Sequence, residues 1–345
     1  MTEAAFPLLG AAFVVLVVLP ACALVARFLL TWLERDEARG PLHRLHLRYV
    51  VLTGSSVLPL AWFLSAGLHQ AESGQSELAC LIDHEAAGLC FEPGFFVLTL
   101  AFVVLVALVR AARSSGDARA SSSSAAHALL QRLERVVSAR PSLVELTHRL
   151  VVTDEEDFAL GTQGWLSPRV LVGTTFAARV SDEMLASALA HEREHVLARD
   201  PLRYLLLRFA LVVNPFGRLL LEPHVARWQA AREAHCDRAA VVAGAAPLAL
   251  ADAIVRAARP AGRPAAVQPA VALGARDTAV PKLRVGLLLA FAERAPARCC
   301  APSPSTFPLA LTLLFVTLLL PHQAGTLALD VLHTSAERAL TYVSP

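Results

Sequence analysis

Four runs of the chain are apolar and carry no charged residue: 6–26, 49–68, 93–109 and 305–322. A helix needs about 20 such residues to cross a bilayer, and the third run lies near the lower limit. A fifth apolar stretch, 202–221, is of another kind. Arg203, Arg208 and Arg218 interrupt it, and Asn214-Pro215 breaks it. It reads as an interfacial or re-entrant hairpin, or as a pair of buried core helices. Between these runs the pattern changes. Residues 114–124 are Ser-rich, a flexible linker by composition. Residues 125–140 read as a helix. Short apolar runs at Leu150–Val152 and Val170–Val172, divided by acids and glycines, predict a small sheet over 149–174. Ser181 is a good helix N-cap, with Asp182 and Glu183 in the first turn, Leu185, Leu189 and Val196 along one stripe, and Asp200-Pro201 as a stop. A further helix spans Pro223 to about Val242. Residues 258–281, rich in Ala, Pro and Gly, read as a mobile loop.

Composition agrees with a membrane protein. Hydrophobic residues make up 55% of the chain and charged residues 17%, with mean hydropathy +0.52. The first run lacks a basic leader, Glu3 being its only early charge, so it reads as a span and not a signal peptide. Net charge is only +2, and no nucleic-acid module, G-x-G-x-x-G or P-loop is present. The expected fold is a mainly α-helical integral membrane protein. About four transmembrane helices accompany a small α+β domain. Residues 1–112 hold three spans, 113–300 the α+β domain, and 301–345 the fourth span and a short tail.

Arginine placement orients the spans. Residues 34–48 carry Arg35, Arg39, Arg44 and Arg48. Residues 69–92 carry no Lys or Arg but five acids, and Arg110, Arg113 and Arg119 follow the third run. The N-terminus, 69–92 and the tail are therefore expected outside, and 34–48 and 110–300 in the cytoplasm. Cys80 and Cys90 lie in the external loop, where an oxidising compartment permits a disulfide. Cys299-Cys300 lie on the inner side and Cys22 within a span. No C-x-x-C pair suggests a structural zinc.

The chemistry sits in the cytoplasmic helices. His191-Glu192-Arg193-Glu194-His195 is an H-E-x-x-H motif in mid-helix. The two histidines lie one turn apart on one face and can bind one Zn²⁺. Glu192 falls beside the open coordination position, where it can act as a base on water. A catalytic zinc needs a third protein ligand. Downstream, Glu233 and Asp237 share a helix face: the first can bind the metal, the second can accept the free ring N–H of a liganding histidine. His235 and Cys236 are competing ligands, pointing away from Glu233 on the helical wheel.

Several of these residues also stand where a known family has its own. His191 to His195, Arg199-Asp200-Pro201, Asn214-Pro215, Trp228, Glu233 and Cys236-Asp237 resemble the BlaR/MecR-type antirepressor membrane metallopeptidases. Upstream, Ser167–Val172 and Ser181-Asp182-Glu183 fit the same family. The resemblance is specific from about 145 to 290, and the flanking spans match only in arrangement. It implies a gluzincin domain with one zinc held by His191, His195 and Glu233. It also implies Glu192 as general base and Asp237 as the acceptor of a ring N–H, that of His191. It further implies a multi-pass protein of the bacterial cytoplasmic membrane. The expected reaction is hydrolysis of a cytoplasmic protein, such as a transcriptional repressor, or of the chain itself. His235, Arg232 and Tyr204 are candidate oxyanion donors. Val170–Gly173 is the candidate edge strand for an extended substrate, or equally a plain core strand. Residues after 322 hold no S-x-x-K motif, so acylation by β-lactams is not expected. A non-catalytic transducer with a structural zinc, and a membrane quality-control peptidase, remain as alternatives.

Overall fold

The computed structural model describes residues 5–35, 44–73, 93–113, 120–155, 158–258, 271–272 and 279–293. Three long apolar helices come first. α1 (Ala5–Phe13) continues through a π-helical turn, Val14–Val18, into α2 (Leu19–Glu34). The wide turn stands just before Pro20, whose missing N–H and ring bulk disfavour the tight α ladder. α3 (Leu45–Ser73) and α4 (Pro93–Arg113) follow. Gly10–Glu34, Leu45–His69 and Phe95–Arg113 are each long and apolar enough to cross a membrane, so the chain has the make-up of a helical membrane protein. The run at 305–322, Cys80, Cys90 and Cys299-Cys300 lie outside the described residues, as does most of the loop expected at 258–281.

The rest is a small α+β unit. α5 (Ser124–Ser138) leads through a 3₁₀ turn, Pro141–Leu146, to β1 (Leu150–Thr153), β2 (Leu160–Gln163) and β3 (Arg169–Gly173). Then come α6 (Thr174–Ala178), α7 (Asp182–Leu197), α8 (Asp200–Val213), α9 (Gly217–Val242), α10 (Pro247–Ala258), β4 (Val271–Ala272) and α11 (Ala279–Glu293). The sheet order is β1-β3-β2-β4, with β1 parallel to β3 and the other pairs antiparallel. Gly164, at φ +92°, makes the β2–β3 turn, and a Cβ there would stand 2.6 Å from the Ser167 carbonyl oxygen. Val170–Gly173 is thus the end of the central strand β3, paired on both sides, and not an edge. Its apolar residues are buried because both faces are covered. β2 also lies inside the order, and among the described residues its outer side carries the two residues of β4.

The core of this unit lies between the sheet and α5, α7, α10 and α11. Leu133, Leu146, Leu160, Val170, Val172, Phe176, Leu185, Leu189, Leu250, Ile254 and Leu288 are buried together there.

The stretch at 202–221 is a helical hairpin made by α8 and the start of α9. Leu205, Phe209 and Val213 join Val14, Leu60, Phe63, Phe96 and Leu100 of the long apolar helices in one cluster. Tyr204, Leu207, Leu220 and Leu221 join Ala23, Ala26, Leu30 and Leu52 in another. At the tip, the Asn214 amide donates to the Leu19 carbonyl, 2.8 Å away, and its oxygen accepts from the Phe216 N–H at 3.0 Å. The hairpin therefore inserts among the apolar helices as far as the middle of the first one.

α9 continues out of this bundle. Its first half packs on α2 and α3; there His224 and Arg227 both engage Glu34, and the Trp228 indole N–H donates to the Leu45 carbonyl at 3.1 Å. Nine residues past His224, about 14 Å along the helix at 1.5 Å per residue, stands Glu233. The helix starts at Gly217, six residues before the expected Pro223. One rod thus ties the bundle to the chemistry.

Candidate metal centre

Two side-chain groups hold α7 in place. The Ser181 hydroxyl accepts from the Met184 N–H, and Arg132 bonds Asp182 and the Ala177 and Val180 carbonyls at 2.7–2.8 Å. Every residue from Leu185 to Glu192 is buried. Alanines at 186, 188 and 190 let neighbours close in on all sides, so the polar motif is enclosed in mid-helix. Arg199, at φ 52°, turns the chain sharply so that α8 starts with Asp200 pointing back at α7.

His191 and His195 are fully buried. His191 Nδ1–H donates to Asp237 Oδ1 at 2.8 Å, and His195 Nδ1–H donates to Asp200 Oδ2 at 2.6 Å. A carboxylate accepts, so both rings must carry their proton on Nδ1. Their Nε2 atoms then face each other 3.0 Å apart. A nitrogen pair at that distance is bridged by one proton or by one metal ion. Glu233 completes the group, with Oε2 3.4 Å from His191 Nε2 and Oε1 3.5 Å from His195 Nε2. A tetrahedral ion with bonds of about 2.0–2.1 Å separates its ligand atoms by about 3.3 Å. The three side chains could hold such a metal ion.

Charges around the group suit a cation as well. Asp200 faces the buried guanidinium of Arg232, and Glu233 and Asp237 that of Arg284, with Arg203 at the rim, 3.2 Å from Asp200, while Glu192 faces no arginine among the described residues. Burial would raise the Asp200 carboxyl. Arg232 and the His195 hydrogen bond overcome it and hold Asp200 well below the usual range. Asp237 is held down in the same way by Arg284. Glu233, also opposed by burial, is lowered to about 2, chiefly by Arg284. At His191, burial and Arg284 push downward, but Asp237 and Glu233 raise the ring to about 9.

Glu192 differs from the others. It is fully buried, and burial raises its carboxyl above the ordinary value. Oε2 accepts from the Thr162 hydroxyl of β2 at 2.7 Å, while Oε1 has no hydrogen-bond partner among the described residues. An orphaned carboxylate oxygen beside a metal-ligand set suits a group that waits for a proton. β2, which carries Thr162, already accepts one extended segment: Val271 and Ala272 of β4 pair antiparallel with Thr162 and Gly161.

The expected oxyanion donors fare unequally. Arg232 is committed elsewhere: Nε donates to Asp200 Oδ2 at 2.7 Å and Nη2 to the Glu194 carbonyl at 3.1 Å. It holds an outer carboxylate and is not free to bind an oxyanion. Tyr204 is buried, with its ring edge-on to Trp228 at 5.7 Å. His235 is half-buried on another face of α9. Burial and the charge of Arg232 push its pKa down to about 4, leaving a neutral ring outside the ligand group.

Cys236 Sγ lies 3.7 Å from His195 Nδ1 and forms a second potential metal group with His195 and Asp200. Burial pushes its thiol up, and Asp200 Oδ2 is already shared by His195 and Arg232, so this group reads as the outer layer of the first.

Three contributors escape sequence reasoning. Asp200 looks there like a helix stop and is the partner of His195. Thr162 gives no signal at all. Arg284 is a charged residue in the otherwise apolar run 283–290, which is the one hint that it needs a buried partner.

Compared with protein-family models, curated proteins and solved structures, the chain matches none of them.

Proposed function

We propose that the protein is a membrane-bound zinc metalloendopeptidase of the BlaR/MecR-like type, acting on a cytoplasmic protein or on itself in signal-regulated proteolysis. His191, His195 and Glu233 would hold the ion, with Asp237 and Asp200 as the outer partners of the two histidines. Zn²⁺ held there would supply a Lewis acid that polarises a carbonyl and acidifies water. The observation that carries the reading is Glu192, a fully buried carboxylate with one oxygen fixed by Thr162 and the other free of partners. Its free oxygen takes a proton from the attacking water and returns it to the leaving amine. Its raised pKa suits both transfers. A purely structural metal site in a transducer would have no use for this group.

The substrate is a peptide because the strand beside Glu192 takes an extended backbone along its edge, as β4 does. The insertion of α8 and α9 among the apolar helices supports a catalytic site held close to the inner membrane surface, with the arginine asymmetry of the loops placing it in the cytoplasm. A transcriptional repressor is the expected partner within this family; a quality-control peptidase would use the same chemistry on misfolded membrane proteins.

The test is a proteomic comparison of cells expressing wild type and Glu192→Gln. One or a few cytoplasmic proteins cleaved only by wild type support the signalling reading. Many membrane proteins cleaved only by wild type support quality control. Identical cleavage in both strains overturns the peptidase.

A further inference from the structure

Each histidine–aspartate pair of the centre has its own buried arginine. Arg232 serves His195–Asp200 and Arg284 serves His191–Asp237. Only Arg284 also reaches a ligand. Its side chain is 1% exposed. Nε and Nη2 each stand 2.7 Å from one oxygen of Asp237, and Nη1 stands 2.9 Å from Glu233 Oε2. Nη2 lies 3.4 Å from both ring nitrogens of His191. The guanidinium thus spans the outer partner of one ligand and the carboxylate of another.

We propose that Arg284 is a positioning residue of the metal centre. It holds the Glu233 carboxylate in place beside the histidines and Asp237 as the acceptor of His191, and so makes α11 a working part of the site. The proposal rests on the metal-centre reading above. With Nη1 2.9 Å from Oε2, Arg284 sets where the Glu233 carboxylate stands against the two histidines. The flat fork lies along both oxygens of Asp237 while its third nitrogen reaches Glu233, and the compact ammonium of a lysine does not reproduce that arrangement. The surroundings of Arg284 argue in the same direction. Burying a charge is costly even when it is paired, so packing α11 against α10 would be served as well by Leu or Met at this position. Arg284 also reaches the centre from a distant part of the sequence, whereas Arg232 is next to Glu233 on α9. Metal binding and α11 docking must therefore be coupled.

Two measurements on the full-length protein in detergent test this. In the first, Zn²⁺ and Co²⁺ affinities are read by competition with a chromophoric chelator for wild type, Arg284→Lys and Arg284→Met. Loss of an outer partner typically costs about 10- to 100-fold in metal affinity. Both variants should lose that much, and the Co²⁺ absorption spectrum should change shape because the Glu233 carboxylate is no longer held against the histidines. Lysine should not rescue. The second uses wild type alone, so it stands even if the variants fail to fold. By linkage, the factor by which docked α11 raises metal affinity is the factor by which metal favours docking. Zn²⁺ should slow amide exchange across Ala279–Glu293, and a chelator should reverse it. Unchanged affinity and spectrum in the variants would overturn the proposal. So would tighter binding by Arg284→Met, which would make Arg284 a competitor of the ion, or α11 exchange indifferent to metal. A wild type that binds no metal at all would remove the metal-centre reading and this inference together, an outcome distinct from the others.

Discussion

Replacing Asp200 separates the outer layer of the centre from its ligands. Asp200 is fully buried and its Oδ2 accepts from both His195 Nδ1 and Arg232 Nε, at 2.6 and 2.7 Å. Alanine removes both bonds. It leaves His195 without its orienting acceptor and Arg232 with only the Glu194 carbonyl as described partner for a buried charge. Breaking a buried pair by removing one partner costs about 3–5 kcal/mol, so the metal-free protein should lose stability on that scale. Asparagine keeps the shape and one acceptor but loses the charge. Charge-assisted hydrogen bonds are roughly twice as strong as neutral ones, so Asp200→Asn should cost less in folding and still weaken the metal. An outer-partner loss of about 10- to 100-fold in affinity corresponds to about 1.4–2.8 kcal/mol. The assay is thermal unfolding of the full-length protein in detergent, with chelator and at graded Zn²⁺, for both variants and wild type. Wild-type metal affinity in Asp200→Asn, together with undiminished metal-free stability in Asp200→Ala, would refute the assignment of Asp200 as the carboxylate that orients His195.

Other outcomes follow from the same geometry. Asp237→Ala should weaken zinc roughly 10- to 100-fold, measured by chelator competition. The Asp200 carboxyl is lowered on folding, so its contribution is complete above the unfolded value near 3.8 and is lost as pH falls through the lower folded value. The metal-free stability of Asp200→Asn should therefore fall less steeply than that of wild type on the acid side, in unfolding curves taken across that range. Gly173→Ala would place a Cβ 1.9 Å from the Phe158 carbonyl oxygen. It should destabilise the domain by about 1–3 kcal/mol or more, read as a lowered unfolding midpoint. Asn214→Ala removes the bond to the Leu19 carbonyl inside the bundle, where no water replaces it. A loss of about 1–3 kcal/mol is expected, visible as earlier unfolding in detergent. An impermeant thiol reagent on intact cells should label a cysteine introduced near Ser76 but not one near Ser122.

How much of this could be read from the chain differs from one element to the next. α7 was legible because its cap, its acidic first turn and its motif are all local. The three apolar helices were legible as uncharged runs. Their ends were not, since α2 runs past Arg27 to Glu34. The start of α9 was missed because Pro223 reads as a helix opener, whereas it stands inside the helix, which begins at Gly217. The sequence leaves Val170–Gly173 open between an edge strand and a core strand; its continuous apolar run, the mark of a strand covered on both faces, belongs to the inside of the sheet. β2 beside it is Leu-Gly-Thr-Gln, a segment of weak strand character. In the centre, spacing puts His191 with His195 on one helix face and Glu233 with Asp237 on another, and the family resemblance joins the two pairs. Asp200, Thr162 and Arg284 reach it through a left-handed turn, an inner strand and a distant helix. Those are relations of tertiary packing and leave no periodic trace.

The central claim, a zinc site built for hydrolysis, is tested most directly by pairing metal content with cleavage in one variant. Wild type, Glu192→Gln and His195→Ala are purified, their zinc is measured, and new N-termini generated by each are mapped in the expressing cells. Gln is nearly isosteric with Glu but cannot take the proton, and a general base contributes about 10²–10⁴-fold in rate. The account predicts about one zinc per chain in wild type and in Glu192→Gln, little in His195→Ala, and wild-type-specific N-termini absent from both variants. Zinc-free wild type, or the same N-termini produced by Glu192→Gln, would contradict it.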